Sequence, residues 1–163
     1  MVRTLLLALV VALSTIGSGM AGPFEDGLAA YKRQDYATAL RLWKPLAEQG
    51  DARAQTRLGS TYVLGEGVPQ DYAEAMQWYR KAAEQGHAPA QNNLGVMYEN
   101  GQGVPQDYVL AHVWFNLSAS RQTDPENRER TAKARDRVAA KMTPAQITEA
   151  QRRAREWKPM PER

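Results

Sequence analysis

The sequence predicts an all-α protein: a solenoid of antiparallel helix pairs closed by a C-terminal helical cap. Three observations predict it. A block of residue types returns after 36 positions, each copy carries start and stop signals for two helices, and a differently patterned segment succeeds the last copy.

The recurrence is long. Val68-Pro69-Gln70-Asp71-Tyr72 returns as Val104-Pro105-Gln106-Asp107-Tyr108. At the same offset Leu58-Gly59 becomes Leu94-Gly95, Tyr62 becomes Tyr98, and Gly65 and Gly67 become Gly101 and Gly103. Ala75 becomes Ala111, and Trp78-Tyr79 becomes Trp114-Phe115. A looser copy comes first, in Asp35-Tyr36, Ala39, Leu42-Trp43 and Glu48-Gln49-Gly50. A fixed period of this size marks stacked supersecondary units, and about three are the usual minimum for a stable stack.

Residues 1–21 read as a secretory signal peptide. Arg3 gives a positive start, Leu5 to Leu13 is apolar, and Gly19-Met20-Ala21 offers the small side chains of a cleavage site. That apolar run falls short of the roughly 20 residues that span a bilayer, so cleavage near Ala21 and a periplasmic or secreted location are expected. No cysteine lies there to carry a lipid.

Residues 22–163 form the expected helical repeat domain, with repeats near 23–53, 54–89 and 90–120. The first repeat has a turn four residues shorter than the others, written Lys32-Arg33-Gln34. The second shows the helical grammar best. Ala54, Leu58, Thr61 and Tyr62 share one face of a first helix running to about Leu64. Gly59 lies on its contact side, and Gly65-Glu66-Gly67-Val68-Pro69 ends it. Asp71 caps a second helix, with Glu74 at capping-box spacing. Ala75, Trp78, Tyr79, Ala82 and Ala83 form its apolar stripe, and Gly86 stops it. The third repeat restarts at Ala90. The cap spans residues 124–158. Asp124-Pro125-Glu126 starts one helix, running to Lys141, and Thr143-Pro144-Ala145-Gln146 starts another. Ile147, Ala150, Ala154 and Trp157 share a face of the latter.

These residues resemble the Sel-one-like repeat, a relative of the tetratricopeptide repeat. Its pattern runs Ala, Leu-Gly-x-x-Tyr, Gly-x-Gly-Val, Asp-x-x-x-Ala, an aromatic pair, then Ala-Ala-x-x-Gly. Gln55 to Ala90 match it nearly throughout and Gln91 to Phe115 match it well. Residues 23–54 depart from it, and their short turn looks like an ordinary tetratricopeptide unit. Residues after Ser118 also depart. The resemblance implies a right-handed helical solenoid used for protein contacts, often in bacterial envelope proteins. It also implies an inner curve lined by the first helix of each unit. Carried over, the lining residues are Tyr31, Lys32, Ser60, Val63, Leu64, Asn92, Val96, Glu99 and Asn100. Val63 and Leu64 fit equally well as packing beneath the Gly-rich turn.

Little points to catalysis. The chain has no cysteine, which excludes thiol chemistry and thiolate metal sites. No phosphate loop, metal spacing or nucleophile motif is present, so no cofactor, metal or catalytic residue is expected. His87 and His112 have no acidic or histidine partner at a motif spacing and read as surface or inter-helix residues. Trp43, Trp78 and Trp114 could stack on sugars, but their even spacing reads as core for Trp78 and Trp114. Residues 22–120 hold 8 Lys/Arg against 11 Asp/Glu, and residues 121–163 hold 12 against 7. Neither balance makes the dense basic stripe of a nucleic-acid binder. Arg130, Lys133, Arg137 and Lys141 share a helical face and read as solvated, with Glu126 and Glu129 at supporting spacings.

The expected function is therefore an exported adaptor that holds a protein or peptide partner on its concave face. The alternative is a cell-wall or β-lactam hydrolase, as reported for cysteine-rich members of the wider family. This chain lacks their cysteines. A membrane-surface role for the basic tail ranks third, and membrane contact is not expected once the signal peptide is removed. The oligomeric state is not legible.

Overall fold

The computed structural model describes residues 22–160. The expected signal peptide lies outside the described residues. Among those described, the chain forms eight helices and no strand: α1 (Pro23–Lys32), α2 (Tyr36–Glu48), α3 (Ala52–Leu64), α4 (Tyr72–Glu84), α5 (Ala88–Asn100), α6 (Tyr108–Arg121), α7 (Pro125–Ala139) and α8 (Pro144–Glu156). Consecutive helices pack on each other through α1–α7, and α8 folds back on α6. The architecture is an α/α solenoid with a two-helix end.

Most helices begin where the sequence supplies an acceptor for unpaired backbone N–H groups. The Asp35, Asp51, Asp71, Asp107 and Asp124 side chains each accept from a backbone N–H two or three residues on. Thr143 and Gln146 complete a capping box. The box expected at Asp71 is only half made, because the Glu74 carboxylate accepts instead from the Trp78 indole at 3.0 Å. Two starts differ from expectation. Asp51 caps α3, which therefore begins at Ala52 and not Ala54. α5 begins at Ala88, since Pro89 suits a first turn where a missing N–H is harmless.

One contact defines each unit. The second aromatic of the pair lies against a glycine of the first helix. A Cβ on Gly59 would stand 2.6 Å from the Tyr79 ring, and one on Gly95 would stand 2.6 Å from Phe115. The first unit repeats this with Gly27 and Trp43, which is fully buried. Trp78, first of its pair, faces the other way and joins the core of the preceding unit beside Ala47 and Ala54. Trp114, predicted as core, is half-buried and meets Trp157 edge to face at 6.5 Å.

Side-chain amides join successive units. Gln55 donates to the Ala47 carbonyl at 3.0 Å, and Gln91 donates to Ala83 at 3.1 Å in the same register. Gln85 satisfies the Gln55 oxygen at 2.9 Å. The residue in register with Gln85 is Arg121, whose guanidinium stacks on Trp157 instead, and the Gln91 oxygen is left without a partner. The Gly-rich turns also bridge units. Gly67 (φ +76°) presses on Tyr36 and Leu40 of α2, and Gly103 (φ +70°) presses on the Tyr72 carbonyl at the start of α4.

α6 ends the stack and is apolar nearly all round, as a fully enclosed helix should be. Ala111 and Phe115 meet Ala134 and Val138 of α7, while Val113 and Leu117 meet Ala150 and Ala154 of α8. α7 thereby takes the place a next first helix would have. Beyond α8 the chain runs back along the stack, and the Met160 amide donates to the Glu84 carbonyl at 2.8 Å.

Candidate functional site

The nine residues expected on the inner curve meet different fates. Lys32 and Asn100 are exposed, and Leu64 is 58% exposed. Val63 is half-buried against the core of the second and third units. The Ser60 hydroxyl donates to the Thr56 carbonyl and lies 3.1 Å from the Tyr79 hydroxyl. Tyr31 is half-buried against Trp43 and Tyr36 and donates to Glu66 at 2.5 Å. Burial, then the Glu66 carboxylate, push this phenol up to about 12, so it stays protonated.

Asn92, Val96 and Glu99 differ from expectation: α7 and the residues after it lie over them. The Thr131 hydroxyl donates to the Asn92 oxygen at 3.1 Å, and Val96 packs against the cluster holding Ala134 and Val138. The Glu99 carboxylate, 8% exposed, accepts two bonds from Arg137 at 2.9 and 2.6 Å and has Lys141 at 3.8 Å. The Arg137 hydrogen bonds and the nearby positive charges hold its pKa below the ordinary carboxylate value, against burial. The physical reason is that an enclosing cap needs somewhere to dock, and the inner face of α5 is the surface the next unit would have met. The same contacts correct the solvated-face reading of the tail. Lys133 pairs outward with Glu129 at 2.6 Å, but Arg137 and Lys141 turn inward. His112 is buried, and that burial lowers its pKa.

What remains open on the inner face lies one helical turn earlier. A hollow of about 360 Å3 forms between the first helices of the three units. Phe24 of α1 stands on one side, and Pro89 and Asn93 of α5 stand on the other. Arg53, Thr56, Arg57 and Ser60 of α3 run between them, with His87 at the rim. The Arg53 guanidinium lies 4.2 Å above the Phe24 ring and pairs with Glu25 and Asp51, each at 3.2 Å. Thr56 donates its hydroxyl proton to the Ala52 carbonyl at 2.7 Å. The 2.9 Å contact from Thr56 to His87 Nδ1 therefore places the hydrogen on Nδ1 and leaves Nε2 an acceptor. Burial holds the His87 pKa below its ordinary value and so keeps the ring neutral.

Of these residues only Ser60 belonged to the expected set. Arg53, Thr56 and Arg57 precede Ser60 by 7, 4 and 3 positions, so they share its helical face. Pro89 and Asn93 are their counterparts one period on. The signal was present, and extending that face one turn further back would have found them. Among the described residues no group of three or more His, Asp or Glu side chains could hold a metal ion. No helix there is long and apolar enough to cross a membrane.

Comparison with known proteins matches this architecture to one family. Three Sel1 repeats are recognised, over residues 20–51, 52–87 and 88–122, so the first copy is included despite its short turn. No curated protein matches the chain. Among solved structures, a protective antigen of uropathogenic Escherichia coli strains that displays an SLR fold superposes with a TM-score of 0.77 at 29% identity. The alignment covers 83% of this chain and 29% of that one, so the chain spans under a third of that relative's length. A Sel1 repeat protein from Oxalobacter formigenes superposes with a TM-score of 0.59 at 38% identity, covering 61% of this chain and 79% of that one. Sel1 repeat proteins are generally protein-interaction scaffolds. Three consecutive units across α1–α6 make this chain a member of the Sel1 repeat family.

Proposed function

We propose that the chain is an exported, non-catalytic adaptor that holds a protein partner along the inner face of its first two units. One observation carries the reading. Side chains from three successive first helices, α1, α3 and α5, converge on one open hollow, whereas the rest of the α5 inner face, at Asn92 and Glu99, is already covered by α7. An open surface built from stacked helices suits an extended segment of another protein better than a small substrate, which favours an enclosed pocket. Export rests on residues 1–21, with their positive start, apolar run and small-residue end.

The test is site-specific photo-crosslinking in the producing cell. A photoreactive side chain at Ser60 is expected to capture a discrete protein adduct, and one at exposed Lys44 on α2 is not. Mass spectrometry of the purified product should find an N-terminus near Gly22 and fractionation should place it outside the cytoplasm. Equal adducts from both positions would count against the inner face. Turnover of a chromogenic β-lactam, abolished by one point change, would overturn the non-catalytic reading.

A further inference from the structure

We propose that the inner hollow selects an acidic peptide segment, and that Arg57 is the residue that reads its carboxylate. This rests on the adaptor reading and names the chemistry of the partner.

The charged side chains that line the hollow are both basic. Its lining contains two guanidinium groups and no carboxylate. Arg53 is not available, because Glu25 and Asp51 pair with it and the Phe24 ring lies beneath it. Arg57 is different. It is exposed in the middle of α3, and it makes no ion pair or side-chain hydrogen bond among the described residues. A guanidinium offers five donors and no acceptor. Around it, the Thr56 and Ser60 hydroxyl hydrogens are already committed to the Ala52 and Thr56 carbonyls. His87 Nδ1–H is committed to Thr56. The groups left to meet a ligand are therefore the Arg57 fork, which requires an acceptor, the Asn93 amide, which donates and accepts, the His87 Nε2 acceptor, and a small apolar margin at Pro89.

A carboxylate satisfies that fork with two parallel charge-assisted bonds, which adds direction as well as energy. A hydroxyl or amide oxygen would make weaker ones. A hollow of about 360 Å3 admits one or two side chains and not a globular surface, so the matching unit is an Asp or Glu with an apolar neighbour in an extended strand. A lysine or arginine in the strand would meet the like charge of Arg57, with the Glu25 and Asp51 carboxylates beside the hollow already paired with Arg53. The inner surface is closed beyond α5 by α7, which limits the bound segment to the length of two units.

The experiment pans a phage-displayed library of random dodecapeptides on the full chain. The consensus peptide is then titrated by fluorescence anisotropy against the wild type, Arg57→Glu and Arg57→Trp, each checked for helicity by circular dichroism. Enriched peptides are expected to carry Asp or Glu beside an apolar residue above its library frequency. Arg57→Glu should weaken the consensus peptide by at least about tenfold, and exchanging its acidic residue for Lys should restore affinity for Arg57→Glu. Enrichment without acidic residues overturns the inference. If Arg57→Trp still blocks those peptides and Arg57→Glu does not, the inner face remains the binding surface and only the carboxylate chemistry is wrong. Peptides indifferent to both substitutions, or a selection that enriches nothing over a bare-support control, overturn the inference and the adaptor reading together.

Discussion

Tyr31, Val63 and Glu99 hold the same place in successive first helices, 32 and then 36 residues apart, and each is adapted to a different downstream neighbour. Tyr31 reaches the turn of the next unit through Glu66, Val63 packs into the core between units, and Glu99 receives the cap through Arg137. The position was legible in the sequence but the partner was not. A repeat pattern predicts contacts between like units, and Arg137 belongs to no repeat. The Glu99 pair has a pH signature. Its folded pKa is depressed, so its contribution is present above the unfolded value, near 4.5, and is lost as pH falls through the lower folded value. Glu99→Gln should lower stability at neutral pH by about 1–2 kcal/mol, a figure reduced because Arg137 is half-exposed. It should also flatten the loss of melting temperature below about pH 4.5 relative to wild type. Thermal melts across pH 3 to 7 check both. A variant as acid-sensitive as the wild type would remove Glu99 from the account.

At the scale of the helix, close approach and turn geometry separate two kinds of glycine. Gly59 and Gly95 were legible as contact positions, because they fall on the buried face of a first helix at fixed distance from an aromatic pair. Which aromatic of the pair they met was not, since adjacent helical residues point about 100° apart and the packing direction is set by the stack. The ring contact decides the sign of substitution. Gly95→Ala gains up to about 1 kcal/mol in helix propensity, but its Cβ would stand 2.6 Å from buried Phe115, an overpacking that typically costs about 1–3 kcal/mol. A net loss is expected by denaturant titration, and Phe115→Leu in the same chain should lose less than the sum of the two changes. The turn glycines divide differently. Gly101 and Gly103 both have positive φ, so alanine strains each. A Cβ on Gly103 would also lie 2.7 Å from the Tyr72 carbonyl oxygen, whereas at Gly101 the nearest atom is 3.3 Å away. Gly103→Ala should therefore destabilise more than Gly101→Ala, by roughly 1 kcal/mol or more. Equal melting temperatures would mean that the turn does not bear on α4.

At the scale of the molecule, the cap decides where the solenoid stops and how much of its inner face stays open. Its two helices were legible from Asp124-Pro125 and Thr143–Gln146, but their docking was not, because nothing in their composition specifies which face of α6 each one covers. In the fold they take opposite sides. α7 covers Ala111 and Phe115, and α8 covers Val113 and Leu117. A chain ending at Gln122 loses both. It exposes four apolar side chains of α6 and leaves the Glu99 carboxylate without Arg137. In a stack each unit contacts only its neighbours, so the damage should be graded along the chain and not uniform. Hydrogen exchange is expected to show lost protection in α5 and α6, with α1 to α3 retained longest, and light scattering is expected to show self-association through the bared α6. A chain ending at Met142 keeps α7 and the Glu99 pair and should retain protection in α5, losing it mainly at the C-terminal half of α6, where Leu117 lies, and at Trp114, which Trp157 no longer meets. If both truncations instead unfold α1 and α6 at one common denaturant concentration, the units are coupled far more strongly than nearest-neighbour packing allows. The inner hollow could not then be treated as the property of α1, α3 and α5 alone.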